Sequence, residues 1–143
     1  THHLVSGTIL ENDKILRQWF STEEIQIMKE AVEDHRASSD HEPRSIYGKI
    51  VAEADRIIDP EITLRRTVQY GLKQNPAENT EWHYNRFLNH LLNKYAEGGY
   101  LKLWFEHSKN GEKLRELRSL INNREELRNV FNKIFEEETN LQI

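Results

Sequence analysis

The stretch Ser21–Ala37 reads STEEIQIMKEAVEDHRA, and its spacing decides the fold. Ser21 stands three residues before Glu24, the arrangement in which a hydroxyl and a carboxylate satisfy each other's free backbone N–H groups at a helix start. Ile25, Met28, Val32 and His35 then recur every three or four residues, the period of one helical face. The spacing predicts a helix from Thr22 to about His35, with His35 extending the core-facing stripe at its C-terminal end.

Working outward, Ala37 to Arg44 is a polar loop. Ser45 is a cap for a helix to about Ile58, with Ile46, Ile50, Val51, Ala54, Ile57 and Ile58 on its inner side. Asp55, four residues after Val51 and three before Ile58, falls at the edge of that inner face. An unpaired carboxylate is costly there, so it calls for a cation, a metal or several donors. Asp59-Pro60-Glu61 combines a cap, a proline tolerated at the first helical position and an acid suited to the helix dipole. The helix it opens runs to Lys73 or Gln74, and Asn75 to Thr80 is the best linker. Upstream, Thr1 to about Asn12 reads as helix, with a short helix over Asp13 to Phe20.

Downstream, Tyr84, Leu88, Leu91, Leu92 and Tyr95 form a stripe stopped by Gly98-Gly99, and Tyr100 to His107 is expected to continue as helix. Gly111 is expected to break the chain before Leu114, Leu117, Leu120 and Ile121. Asn123 with Glu126 forms another capping arrangement ahead of Leu127, Val130, Phe131 and Ile134. No segment shows period-two alternation, so the expected class is all-α: a multi-helix bundle with a helical extension.

Composition bounds the function. The 143 residues carry 20 Lys+Arg against 24 Asp+Glu, a net charge of −4. Neither half is basic, which excludes sequence-independent binding to nucleic-acid polymers, since that needs a positive field. Mean hydropathy is −0.83, and no apolar run nears the ~20 residues of a membrane span. Cysteine is absent. That removes disulfide and thiolate chemistry and fits a cytoplasmic protein, so any metal must be held by His, Asp or Glu.

Of the seven histidines, His83 and His90 lie two turns apart on one helix, too far for chelation and better suited to packing or solvent. His41 sits in a polar loop, and His107 has no partner in sequence. His35 and Asp55 stand apart as polar groups aimed inward on successive helices. An imidazole and a carboxylate together suit a divalent transition metal, or else a buried His–Asp hydrogen bond that fixes helix packing. Spacing alone favours the hydrogen bond.

The run EDHRAS at 33–38 and the run PRSIYGKIVAEADR at 43–56 resemble the later motifs of the HD superfamily of metal-dependent phosphohydrolases. In that family a His ends one helix and an Asp, commonly within an Ala-Asp pair, lies in a following one. HHLVSG at 2–7 resembles the family's middle motif. The resemblance covers about residues 1–75 and implies that they form the later part of an HD-type helical domain, with 76–143 an extension that packs on it or forms an interface. It implies metal ligation by His35 and Asp55, with His3 the ligand of a second metal. The metal would be a divalent ion: Mn, Mg, Fe, Ni or Zn. The substrate would be a small phosphate ester, such as a nucleotide, attacked by a metal-bound hydroxide. Arg36, next to the ligand His, is the first choice to grip the phosphate, then Arg44. Lys49 and Arg56 are further candidates, better read as surface ion pairs. The family's upstream His and its His-Asp doublet are not in this sequence. The resemblance therefore assigns them to residues before Thr1 and implies weak metal binding and impaired activity for these 143 residues alone. It also leaves room for two copies to pair over an uncovered core. A non-catalytic helical interaction module is the competing expectation.

Overall fold

The computed structural model describes residues 2–39, 41–105 and 107–141. Of the elements expected above, this leaves outside the described residues only the single positions Thr1, Asp40 and Glu106. Seven α-helices are formed among the described residues: α1 (His2–Asn12), α2 (Thr22–Asp34), α3 (Ile46–Ala54), α4 (Pro60–Gln74), α5 (Thr80–Lys94), α6 (Lys109–Asn122) and α7 (Arg124–Asn140). A 3-10 turn at Leu16–Gln18 takes the place of the short helix expected over Asp13 to Phe20. The chain is all-α.

The caps explain the helix starts. The Ser21 hydroxyl accepts from the Glu24 N–H and the Glu24 carboxylate accepts from the Ser21 N–H, at 3.2 and 2.8 Å. Asp59 caps α4 with Pro60 behind it, and Asn79 caps α5. Ser108 caps α6, its hydroxyl accepting from the Gly111 N–H. Gly111 therefore lies inside the first turn and does not interrupt the helix. Residues 101–105 are not helical. Gly98 takes a positive φ of 78°, which glycine adopts without the cost a Cβ would bring. The Tyr100 and Leu101 N–H groups then donate back to the Asn93 and Lys94 carbonyls, and the Trp104 N–H is taken by the Glu53 carboxylate at 2.9 Å. These bonds replace the helical ladder expected there.

The chain divides into two compact units, Thr1–Arg56 with Lys102–Glu106, and Ile57–Leu101 with His107–Ile143. In the second, α4, α5, α6 and α7 pack together around Leu64, Val68, Phe87, Leu91, Leu117 and Phe131, all but inaccessible to solvent. The turn from Asn75 to Thr80 joins α4 to α5 within this unit. In the first, α2 packs against α1 on one side and α3 on the other.

The face that α3 buries is not the one its large apolar residues mark. Gly48, Ala52 and Glu53 are buried, while Ile46, Tyr47, Ile50 and Val51 are exposed. The reason is close approach. A Cβ at Gly48 would lie 3.0 Å from the Pro43 Cβ and 3.7 Å from the Ala31 Cα, so the small-residue face of α3 is the one that fits against α2. The α3 helix also ends at Ala54 rather than near Ile58. The Arg56 guanidinium donates to the Ala52 carbonyl at its end and to the His35 carbonyl at 3.3 Å, supplying carbonyls that another turn would otherwise satisfy.

Candidate functional site

The first unit holds the site residues, and the rotation of α3 decides which of them meet. Asp55 belongs to the large-residue face and is therefore exposed, as the C-cap of α3. The expectation of an inward-facing Asp55 is corrected on this point: the buried carboxylates among the described residues of the first unit are Asp34 and Glu53. On α2 the buried positions are Ile25, Ala31 and Asp34. His35 is the half-buried C-cap one step round the helix.

Three imidazoles gather where α1 begins and α2 ends. The His2 and His35 rings are 5.6 Å apart, His3 and His35 6.3 Å, and His2 and His3 5.6 Å, centroid to centroid. The His35 Nδ1 lies 2.5 Å from the Val32 carbonyl oxygen. A carbonyl only accepts, so Nδ1 carries the proton, and in the neutral ring Nε2 keeps its lone pair. The His3 Nδ1 is buried without a hydrogen-bond partner. Burial, aided by the charge of Arg36 and the neighbouring His2 and His35 rings, holds His3 below the usual histidine range, favouring the neutral ring that metals bind. These imidazoles have the chemistry of metal donors, and Asp55 lies exposed at the C-cap of α3. No group of three or more His, Asp or Glu side chains among the described residues is arranged to hold a metal ion.

Beside the imidazoles opens a cleft of about 380 Å³, lined in part by His3, Glu33, Asp34, Arg36, His41 and Arg44. Its floor is a clasp. The Arg44 backbone N–H donates to the Asp34 Oδ2 at 2.8 Å, its Nε to the same oxygen at 3.0 Å and its Nη2 to Oδ1 at 2.9 Å. The same Nη2 reaches the Glu33 carboxylate at 2.7 Å. Burial alone would push the Asp34 carboxyl up, but the Arg44 hydrogen bonds and charge hold it below its ordinary value. Those carboxylates likewise hold Arg44 protonated far above its own. Arg44, expected as a phosphate contact, thus has its donors committed to acids of α2. Arg36 lines the same cleft and is exposed; its carbonyl accepts from the Ser39 N–H, and its guanidinium makes no hydrogen bond or ion pair with a described residue. The other candidate cations are also engaged, Lys49 with Glu42 and Arg56 with the helix-end carbonyls.

The remaining histidines stand apart. His41 lies at the cleft, its Nε2 4.0 Å from the Asp34 Oδ1. His83 is buried in the second unit against Phe135, His90 is half-buried and His107 exposed. Sequence reasoning missed Asp34. Its signal was present, since Ala31 and Asp34, three residues apart, share a helical face, but only if small residues count as a packing face.

No protein-family model, curated protein or solved structure matches this chain.

Proposed function

We propose that the protein is a metal-dependent phosphohydrolase of the HD superfamily, acting on a small phosphate ester. The observation that carries this is the meeting of His2, His3 and His35 at the lip of a cleft whose uncommitted guanidinium, among the described residues, is that of Arg36. Metal-ligating histidines typically donate their second ring nitrogen to a carbonyl, which fixes the tautomer and the ring; the contact of His35 with Val32 is of that kind. The Arg56–His35 hydrogen bond also ties the end of α3 that bears Asp55 to the end of α2 that bears His35. On this proposal His3 and His35 are metal donors, completed by ligands that the described residues do not bring together, and Arg36 holds a phosphate oxygen.

The test is made on the intact protein. Metal content, and turnover of a panel of phosphate esters with Mn and Mg, are measured for the wild type and for His35→Ala, His3→Ala and Asp55→Ala. Loss of a ligand should lower metal affinity by at least the ~10–100-fold typical even of ligand-supporting residues. A protein with no bound metal and no turnover, or variants with unchanged metal content, would overturn the proposal. A quicker test is the coding sequence upstream of Thr1: a His and a His-Asp doublet there would support the proposal, and their absence would overturn it.

A non-catalytic interaction module has one observation in its favour. An apolar groove of about 490 Å³ runs between the helices of the first unit, lined by Leu10, Phe20, Met28, Tyr47 and Val51 among others.

A further inference from the structure

We infer, building on the phosphate-ester proposal, that the cleft beside α2 takes a single phosphoryl group and discriminates against di- and triphosphates. The inference comes from its fixed charges. Glu33 and Asp34 are the carboxylates of its wall, and Arg36 and Arg44 its guanidinium groups. Arg44 is spent on the two carboxylates, with Nη2 bonded to both and Nε to Asp34. Its third nitrogen, Nη1, lies 3.9 Å from Glu30. What remains for a ligand is one guanidinium, Arg36, with the Ser38 and Ser39 side chains and the His3 and His41 rings around it.

A guanidinium grips one phosphoryl group through two parallel hydrogen bonds, and hydroxyls and imidazoles can complete the shell of the same group. A second phosphoryl in this cleft meets no second free guanidinium among the described residues. It meets Glu33, whose carboxylate is already held by Arg44 and stands in the wall with Asp34. Like charge in a partly enclosed cleft repels more than it would in open water, and a repulsive element of this kind selects against the wrong ligand as effectively as an attractive one selects for the right ligand. The substrate class this favours is a phosphomonoester, its uncharged part bearing hydroxyls that the acidic wall accepts.

The experiment uses the 143-residue chain stripped of metal with a chelator, so that its outcome does not depend on whether the protein is a hydrolase. Orthophosphate, pyrophosphate and tripolyphosphate are titrated separately by calorimetry and by the histidine ring signals in NMR. Orthophosphate should bind and shift the His41 and His3 signals, and pyrophosphate and tripolyphosphate should bind no more tightly despite their greater charge. Arg36→Gln should weaken orthophosphate by about tenfold, the usual scale for losing one charge-assisted pair. Glu33→Gln should selectively strengthen pyrophosphate, by about fivefold for a like charge removed at partial exposure. Tighter binding of the longer anions in the wild type would overturn the inference. So would an Arg36→Gln chain that binds as before, or the absence of any response to orthophosphate. Failure of metal binding or turnover in the intact protein, with this selectivity intact, would instead overturn only the hydrolase proposal.

Discussion

The two units are both built from helices, amphipathic in every case but α1, but are held together differently. Of the buried hydrophobic side chains among the described residues, the first unit contributes Ile25, Ala31 and Ala52; the other fourteen belong to the second. Exposed large hydrophobics run the other way, with eleven in the first unit, from Leu4 to Val51, and five in the second. Trp19 is 77% exposed, whereas Phe87 and Phe131 are wholly buried and pack with ring centroids 5.1 Å apart, tilted by 52°. Apolar burial is the main favourable term in folding, so the second unit has a conventional core. The first is organised by a polar clasp, Asp34 with Arg44, and by small residues that let α3 close on α2. The difference teaches that a helix can present a strong apolar stripe and still bury another face, when glycine and alanine allow a closer approach.

Truncation in the second core should have the largest effect. Phe131→Ala removes a ring packed on Phe87, Tyr84 and Phe135, and should cost about 3–5 kcal/mol by chemical denaturation. Ile50→Ala on the exposed face of α3 should cost under about 1 kcal/mol. An Ile50 variant as damaging as the Phe131 variant would mean that the α3 face is covered in solution, and the comparison would fail. In hydrogen exchange, the amides of α5 and α7 should outlast those of α1 and α3, because local stability follows buried apolar contact.

Breaking the clasp comes next. Arg44→Met leaves the buried Asp34 carboxylate without its cation and should destabilise the first unit by about 2–3 kcal/mol, less than a fully buried pair because Arg44 is half open to water. Removing both partners, with Asp34→Leu and Arg44→Met, should cost less than the single change. A double variant worse than the sum of its parts would show that the pair does more than neutralise itself.

Acid should separate the units in a defined order. Burial, with the nearby Arg86 charge, pushes the His83 ring below its usual range, against smaller opposing effects of the Asn75 carbonyl and Glu78; burial does the same to His90, with Lys94 and Arg86. Such a ring stays neutral in the folded chain but gains a proton in the unfolded one. The stability it contributes is full above pH 6.5, the ordinary histidine value, and falls as pH drops below it. Asp34 has a depressed carboxyl, so its contribution is full above 3.8 and is lost only as pH falls further, through its folded value. Unfolding followed by residue-specific NMR should therefore show the second unit losing the His83 and His90 contributions as pH falls below 6.5, well before the first unit loses that of Asp34. His83→Gln should flatten that slope, and an unchanged slope would remove His83 from the account.

How much of this was legible in the sequence follows from the range of each interaction. Helix starts are decided within four residues, so Ser21, Ser45, Asp59 and Asn123 were readable as caps. Helix class and the stripe of α7 were readable because Leu127, Phe131 and Ile134 are both large and buried; of the stripe expected on α5, Leu91 and Tyr95 are buried, while the buried Phe87 lies outside it. The facing of α3 was not, because it depends on Pro43 and Ala31 meeting Gly48, a contact between segments that periodicity does not describe. Asp55 went outward with that face, and Asp34 came inward unremarked. Of the candidate site, His3, Arg36 and Arg44 line one cleft and His35 adjoins His3. That Arg44 is committed to Asp34 required the loop from Ala37 to be seen folded back on α2.

The smallest expected effect sharpens the comparison most cleanly, because it should not differ between the units. Ser21 caps α2 in the first unit and Asn123 caps α7 in the second, each side chain accepting from the N–H three residues on. Capping is local: it satisfies an orphan donor in the first turn, whatever the rest of the helix is packed against. Ser21→Ala and Asn123→Ala should each cost about 1 kcal/mol, measured as loss of protection in the capped helix. Equal costs would locate the difference between the units in tertiary burial alone. A markedly larger cost at Ser21 would mean that the first unit, lacking a large apolar core, depends on its local signals for the helix to exist, as isolated short helices do.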